Sequence, residues 1–210
     1  MATGTVLTSG PVESQAERIA RLKRAELVAA AIDELVDTGW RGLRMQAVAA
    51  RVGVSRQTVY NTFGSRDGLA VALVEHLTDS FLDGFEAAFD DHADDRHSDL
   101  SCWRHAVRYL LDRGSDDQAL RAMLGADTGD DFLELLTSRS GPLVQTARRR
   151  IADIITCRRT QIDPSVARAA AEIVTRLALS HIVQPVDVIE DSAEMIAVMM
   201  ARYLDGEYAS

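Results

Sequence analysis

Apolar residues recur at helical spacing along most of the chain. Ala25, Val28, Ala29, Ile32, Leu35 and Val36 share one face. Ser14 followed by Glu17 forms a capping box ahead of them, and Thr38-Gly39 supplies a stop. A first helix is therefore predicted over residues 14–37. Met45, Val48, Ala49 and Val52 make the apolar face of a short second helix ended by Gly53. Ser55 can cap a third helix that turns Val59 inward and stops near Gly64. Ser65 caps a fourth, in which Leu69, Leu73, Leu77, Phe81, Phe85 and Phe89 form one continuous stripe.

Residues 90–99, DDHADDRHSD, interrupt the pattern and read as an acidic loop. Helices are predicted beyond it at 100–113, 117–125, 129–137 and 141–158, with Pro142 suited to a first turn. Asp163-Pro164 opens another that runs to about Val183, and a last one spans Asp191 to Leu204. The sum is about nine helices, no internal repeat and no run of alternating β-branched residues, so the fold class is all-α. Residues 1–13, MATGTVLTSGPVE, lack periodicity and carry no arginine or lysine, so a flexible arm is expected there rather than a minor-groove reader.

Composition narrows the class. At 210 residues, 47% apolar and 26% charged, the chain can bury one good core or two modest ones that share helices. Cys102 and Cys157 fit no metal spacing and read as reduced thiols. His92 and His97 lie among aspartates, but the segment reads as solvated, and no metal is expected. No secretory leader and no membrane span is apparent, so a cytoplasmic location is expected. No nucleophile–base pair, phosphate-binding glycine loop or cofactor site is seen, which argues against an enzyme.

The formal net charge of −9 argues at first against nucleic acid. The charge is uneven, however. Residues 1–75 hold nine basic and eight acidic side chains, net +1, whereas residues 76–210 hold fourteen and twenty-four, net −10. Between Thr38 and Arg66 stand Arg41, Arg44, Arg51, Arg56 and Arg66 and no acidic residue. Screening over about 8 Å at physiological salt separates such a patch from distant acids.

Two short helices joined at a glycine, the second capped by serine, form a helix-turn-helix pattern. Val48, Ala49, Val54 and Val59 face inward, leaving Arg56, Gln57, Tyr60 and Asn61 outward. Arg, Gln and Asn carry the forked donors and acceptors that match guanine and adenine edges. The hydroxyls of Ser55, Thr58 and Tyr60 suit phosphate oxygens. Residues 14–77, with LVDTGWRGLRMQAVAARVGV, SRQTVYNTF and GSRDGLAVALVEHL, resemble the DNA-binding domain of TetR-type transcriptional regulators. Tyr60, Phe63, Gly64-Ser65, Arg66 and Asp67 match the family's signature at the third-to-fourth helix junction. The resemblance implies that Arg56, Gln57, Asn61 and Gln46 read bases, and that Thr58, Tyr60 and Arg66 grip phosphates. Two positions depart from the family: Arg44 replaces the usual Thr or Ser cap of the second helix, and Thr62 stands where relatives often carry His. Each still offers a phosphate contact, through a guanidinium and a hydroxyl.

The resemblance further implies three parts: an arm over 1–13, a DNA-binding domain over 14–64, and an effector-binding and dimerisation domain over 65–210. The helices containing Ile173, Leu177, Met195 and Met199 are expected to form a homodimer interface. One recognition helix contacts too few bases alone, and a two-fold pair reads half-sites about 34 Å apart. Trp103, His105, Met123, Phe132 and Leu136 are candidates to line an effector pocket. The expected partners are a double-stranded DNA operator, an unknown small-molecule effector and a second copy of the chain. The expected activity is that of a regulator, in the usual case a repressor released by its effector. The alternative is a regulator acting through protein partners without a small ligand.

Overall fold

The computed structural model describes residues 13–91, 99–124, 131–184 and 188–206, with side chains from Glu134 onward in the third segment. Ten helices occupy them, and no strand is present among the described residues. His92, His97 and most of the expected acidic loop fall outside these segments.

Helix α1 (Gln15–Gly42) opens with the predicted capping box. The Glu17 N–H donates to Ser14 Oγ at 3.2 Å, and the Ser14 N–H donates to Glu17 Oε2 at 2.8 Å. The regular helix breaks at Thr38-Gly39 as expected, with Gly39 outside the helical region at ψ 170°. Gly39 takes φ 68° and kinks it, and a short turn continues through Gly42, closed by the Leu43 N–H donating to the Gly39 carbonyl at 3.0 Å. That extra turn buries Trp40.

Helices α2 (Met45–Val52) and α3 (Arg56–Phe63) follow the predicted pattern. Gly53 sits between them at φ 72°, ψ 32°, a left-handed conformation that a side chain would strain. Ser55 caps α3 by accepting from the Thr58 N–H at 3.1 Å, and Ser65 caps α4 (Arg66–Asp90) from the Gly68 N–H at the same distance. The remaining helices are α5 (Asp99–Asp116), α6 (Gln118–Leu124), α7 (Asp131–Leu136), α8 (Gly141–Arg158), α9 (Pro164–Val183) and α10 (Ile189–Leu204).

Two hydrophobic clusters form, and α4 serves both. Leu27, Leu35, Trp40, Val48, Val59 and Leu69 of the first four helices build one, and it continues into Leu120 and Met123 of α6 and Leu136 of α7. Phe85, Phe89, Trp103, Ile151, Val174 and Ile196 anchor the other. In the second, Trp103 meets Phe89 edge-on with centroids 5.2 Å apart. Of the predicted α4 stripe, every member is buried except Phe81, which is half-buried. The far half of α4 is pinned to α8. Arg150 pairs with Asp83 at 2.6 Å and Glu86 at 3.1 Å, and Arg158 pairs with Asp90 while lying 5.1 Å over the Phe89 ring. At Gly84, an added Cβ would stand 2.0 Å from the Tyr109 hydroxyl, so the Tyr109 ring of α5 packs directly on the bare backbone of α4.

Candidate nucleic-acid interface and effector cavity

The outer face of α3 carries the residues expected there. Arg56, Gln57 and Asn61 are exposed, Tyr60 is half-buried, and Val59 and Phe63 are buried. Two pairs one helical turn apart order this face. Gln57 Nε2 donates to Asn61 Oδ1 at 2.8 Å, and Arg56 Nη2 donates to the Tyr60 hydroxyl at 3.2 Å with its guanidinium 5.1 Å over the Tyr60 ring. Ser55 and Thr58 share a hydroxyl contact at 2.9 Å, and Thr62 Oγ1 donates to the Thr58 carbonyl at 2.9 Å. The hydroxyl donor of Thr62 is thus engaged inside the helix, leaving only acceptor capacity. Gln46 is exposed on α2. Arg44 gives α2 no side-chain cap, as its identity predicts, and its Nη1 donates instead to the Arg41 carbonyl at 2.7 Å.

The basic window is smaller than its five arginines suggest. Arg51 pairs with Glu34 at 2.9 Å and Asp37 at 2.6 Å, two α1 carboxylates that precede the window in sequence. The Asp37 and Glu34 hydrogen bonds raise the Arg51 pKa. Arg66 lies with its guanidinium carbon 4.2 Å over the Trp40 ring, and its Nη2 donates to the Trp40 carbonyl. Arg41, Arg44 and Arg56 have no carboxylate against them among the described residues.

An apolar cavity of about 90 Å³ lies at the seam of the two clusters. Leu77, Thr78 and Phe81 of α4, Leu120 and Met123 of α6, Leu136 of α7, Ile151 of α8 and Leu179 of α9 are among its walls. Its two hydroxyl side chains are both turned to their own helices. Thr78 Oγ1 donates to the Val74 carbonyl at 2.8 Å, and Thr175 Oγ1 donates to the Ala171 carbonyl at 2.7 Å. Of the five sequence candidates, Met123 and Leu136 line this cavity. Trp103 does not, being locked against Phe85 and Phe89, and His105 bonds the Ser101 carbonyl on α5. The Phe132 side chain lies outside the described residues. The α4, α8 and α9 walls were not foreseen. Apart from Thr78 and Thr175, these are apolar residues whose periodicity marks only burial.

Of the expected interface residues, Met195 and Met199 of α10 are exposed at 45% and 40%, while Ile173 and Leu177 of α9 are half-buried. Met199 and Ile173 share a surface hollow of about 190 Å³ with Met200 and Tyr203. Among the described residues, no helix is long and apolar enough to cross a membrane, and no group of His, Cys, Asp or Glu is placed to hold a metal.

Comparison with known proteins agrees with this geometry. A family profile described as "Bacterial regulatory proteins, tetR family" matches residues 27–73, and one described as "Bacterial Tetracyclin repressor, C-terminal domain" matches residues 100–202. The HTH-type transcriptional regulator AlkX of Mycobacterium tuberculosis is 27% identical over 190 residues, 90% of this chain and 89% of that protein. The crystal structure of the TetR family repressor AlkX from a Dietzia species, implicated in biodegradation of n-alkanes, superposes with TM-score 0.75 at 28% identity. That match covers 87% of this chain and 95% of the other. A TetR-family regulator from Pectobacterium atrosepticum shares the fold at TM-score 0.61 and 18% identity, covering 91% and 94% of the two chains.

Proposed function

Because the chain belongs to the TetR family of DNA-binding transcriptional regulators, and is not an enzyme, we propose that it is a cytoplasmic repressor released from its operator by a small aliphatic effector. Residues 14–64 serve as the reading head, and residues 65–210 bind the effector and dimerise. Arg56, Gln57, Asn61 and Gln46 read bases. Arg44, Ser55, Thr58, Tyr60 and Arg66 hold the phosphate backbone, and Thr62 joins them only by giving up its bond to the Thr58 carbonyl. Two copies pair through the face of Ile173, Leu177, Met195 and Met199, which presents two reading heads to two half-sites.

The observation that carries the effector reading is the apolar cavity at the seam. Two of the helices that wall it, α4 and α6, also pack into the core of the reading head. At about 90 Å³ it is smaller than the ~150 Å³ engineered cavity that admits benzene. A ligand longer than a few carbons must push these helices apart, so it binds the expanded state more tightly and draws the population toward it. Each buried methylene contributes ~0.8 kcal/mol, so roughly two to four methylenes accommodated only in the expanded state supply the 1–3 kcal/mol of a typical allosteric coupling. The n-alkane association of the similar Dietzia repressor supports an aliphatic ligand. A regulator working through protein partners alone leaves this cavity without a role.

The test is a selection of bound sequences from random duplex DNA, followed by titration of the selected complex with neutral aliphatic compounds of increasing length. Enrichment of a two-fold symmetric site and its release by the longer compounds are expected. Failure to enrich any sequence would refute specific DNA reading, and release independent of chain length would refute the aliphatic effector.

A further inference from the structure

A second, polar hollow of about 440 Å³ adjoins the apolar cavity, and Val74, Thr78 and Leu143 line both. Its other walls include Glu75 and Asp79 of α4, Arg139 before α8, and Arg149 on α8. The carboxylates have partners: Glu75 accepts from Arg24 at 3.1 Å, and Asp79 faces Arg150 at 3.9 Å. The arginines are less satisfied. Arg139 has Glu134 at 4.0 Å, the outer limit of an ion pair, with both side chains more than half exposed. Arg149 is exposed and forms no ion pair or hydrogen bond among the described residues. Pro142 and Leu143, from the first turn of the 18-residue helix α8, also line the hollow. That turn has no acidic residue and Ser140 gives it no side-chain cap, so the positive end of the helix dipole is uncompensated.

We propose that the effector is a single-chain amphipath whose aliphatic tail fills the apolar cavity and whose one anionic headgroup stays in this hollow, held by Arg139 and Arg149. This rests on the aliphatic-effector reading above and adds the head to it. The partition follows from the walls. Neither threonine of the inner cavity has a hydroxyl proton free for a headgroup, so an ionised group cannot follow the tail inward. Among the described residues of the outer hollow, the charge least matched by a counter-ion is positive: Arg149 has none and Arg139 only Glu134 at 4.0 Å. A carboxylate and a phosphate share the chemistry that two guanidiniums recognise.

The experiment is calorimetric titration of the full-length protein with four ten-carbon probes below their micelle concentrations: decanoate, decyl phosphate, decan-1-ol and decyltrimethylammonium. An anionic probe is expected to bind about tenfold or more tighter than decan-1-ol, and the cation weakest. Whichever anion binds tighter identifies the head as carboxylate or phosphate. The double variant Arg139→Ala/Arg149→Ala should lose that advantage while its affinity for decan-1-ol holds. Arg149→Lys alone should keep most of it. Affinity of both anions no greater than that of decan-1-ol, indifference of the double variant, or preference for the cation would overturn the headgroup proposal while leaving the aliphatic cavity intact. Binding of none of the four would overturn both.

Discussion

Arg66, the first residue of α4, lies over Trp40, the buried residue of the turn that closes α1, with its guanidinium carbon 4.2 Å from the ring centroid. The same guanidinium donates to the Trp40 carbonyl, so the arginine proposed to hold a phosphate also ties two helices of the reading head together. Arg66→Ala should therefore act twice. It should weaken DNA binding about equally on all sequences and lower the salt slope by about one. It should also destabilise the fold by about 1 kcal/mol through the lost stacking. Salt-dependent binding on two unrelated duplexes, with calorimetric melting, checks both. An unchanged melting temperature would remove the structural half of the claim.

Gln57 and Asn61 hold each other at 2.8 Å. Reading a base with either means exchanging that bond for one to a base edge. Arg56→Ala and Gln57→Ala should each relax preference at one base position, at a cost of about 1–3 kcal/mol on the preferred site. Binding to a single-substitution operator library measures this. A uniform loss across the library would move the residue to the backbone-contact group.

Filling the seam should uncouple the two activities. Ala178→Leu adds three carbons to a cavity wall, at ~1–3 kcal/mol for overpacking. The expected variant binds DNA as the wild type does and no longer responds to the aliphatic ligand. If release proceeds at the wild-type ligand concentration, the ligand binds elsewhere.

Met199→Glu places a charge on the exposed α10 face without disturbing the buried side. Light scattering should show the wild type at twice the 23.0 kDa chain mass and the variant shifted toward one chain. Little change in helicity is expected. A variant that stays dimeric would put the interface on another face.

Glu194 on α10 is bound by Arg104 on α5, with Nη2 to Oε1 at 2.9 Å, and that hydrogen bond holds its carboxyl below the ordinary 4.5. A depressed folded value means the contribution is complete above about pH 4.5 and is lost as the pH falls through the folded pKa. Both side chains are more than a third exposed, so the pair contributes at most about 1 kcal/mol. The melting difference between wild type and Glu194→Gln should be present at pH 7 and shrink as the pH is lowered below 4.5. A difference that persists in acid would show that the glutamate acts through packing.

The reading head was legible in the sequence because its signals are local. Ser55, Gly53 and Val59 each act within a turn or two of themselves, and the structure places them as their spacing predicts. Charge was less legible because it is settled across helices. No acid lies between Thr38 and Arg66, yet Glu34 and Asp37 reach Arg51 from just before the window. The kink at Gly39 follows the same logic. Gly39 ends the regular helix as its local signal predicts, whereas the short turn beyond it goes with the burial of Trp40 in the core. The cavity was the least legible, since it joins side chains from Val74 to Ile182 that each look like ordinary core. Trp103 shows the converse: a large aromatic that invites a ligand role is held by two phenylalanines.

The ion pairs that pin Asp83, Glu86 and Asp90 to α8 set the mechanical advantage of α4. With 25 residues, that helix is about 37 Å long. If its far end is the fulcrum, a tilt of about 10° swings Arg66 through roughly 6 Å, half the ~12 Å width of a major groove. A displacement of an ångström or two beside the cavity, partway along the arm, is thus magnified at the tip. The ratio between the two is fixed by where the arginines of α8 grip, so relocating that grip along α4 would regear the response without altering either the ligand or the operator.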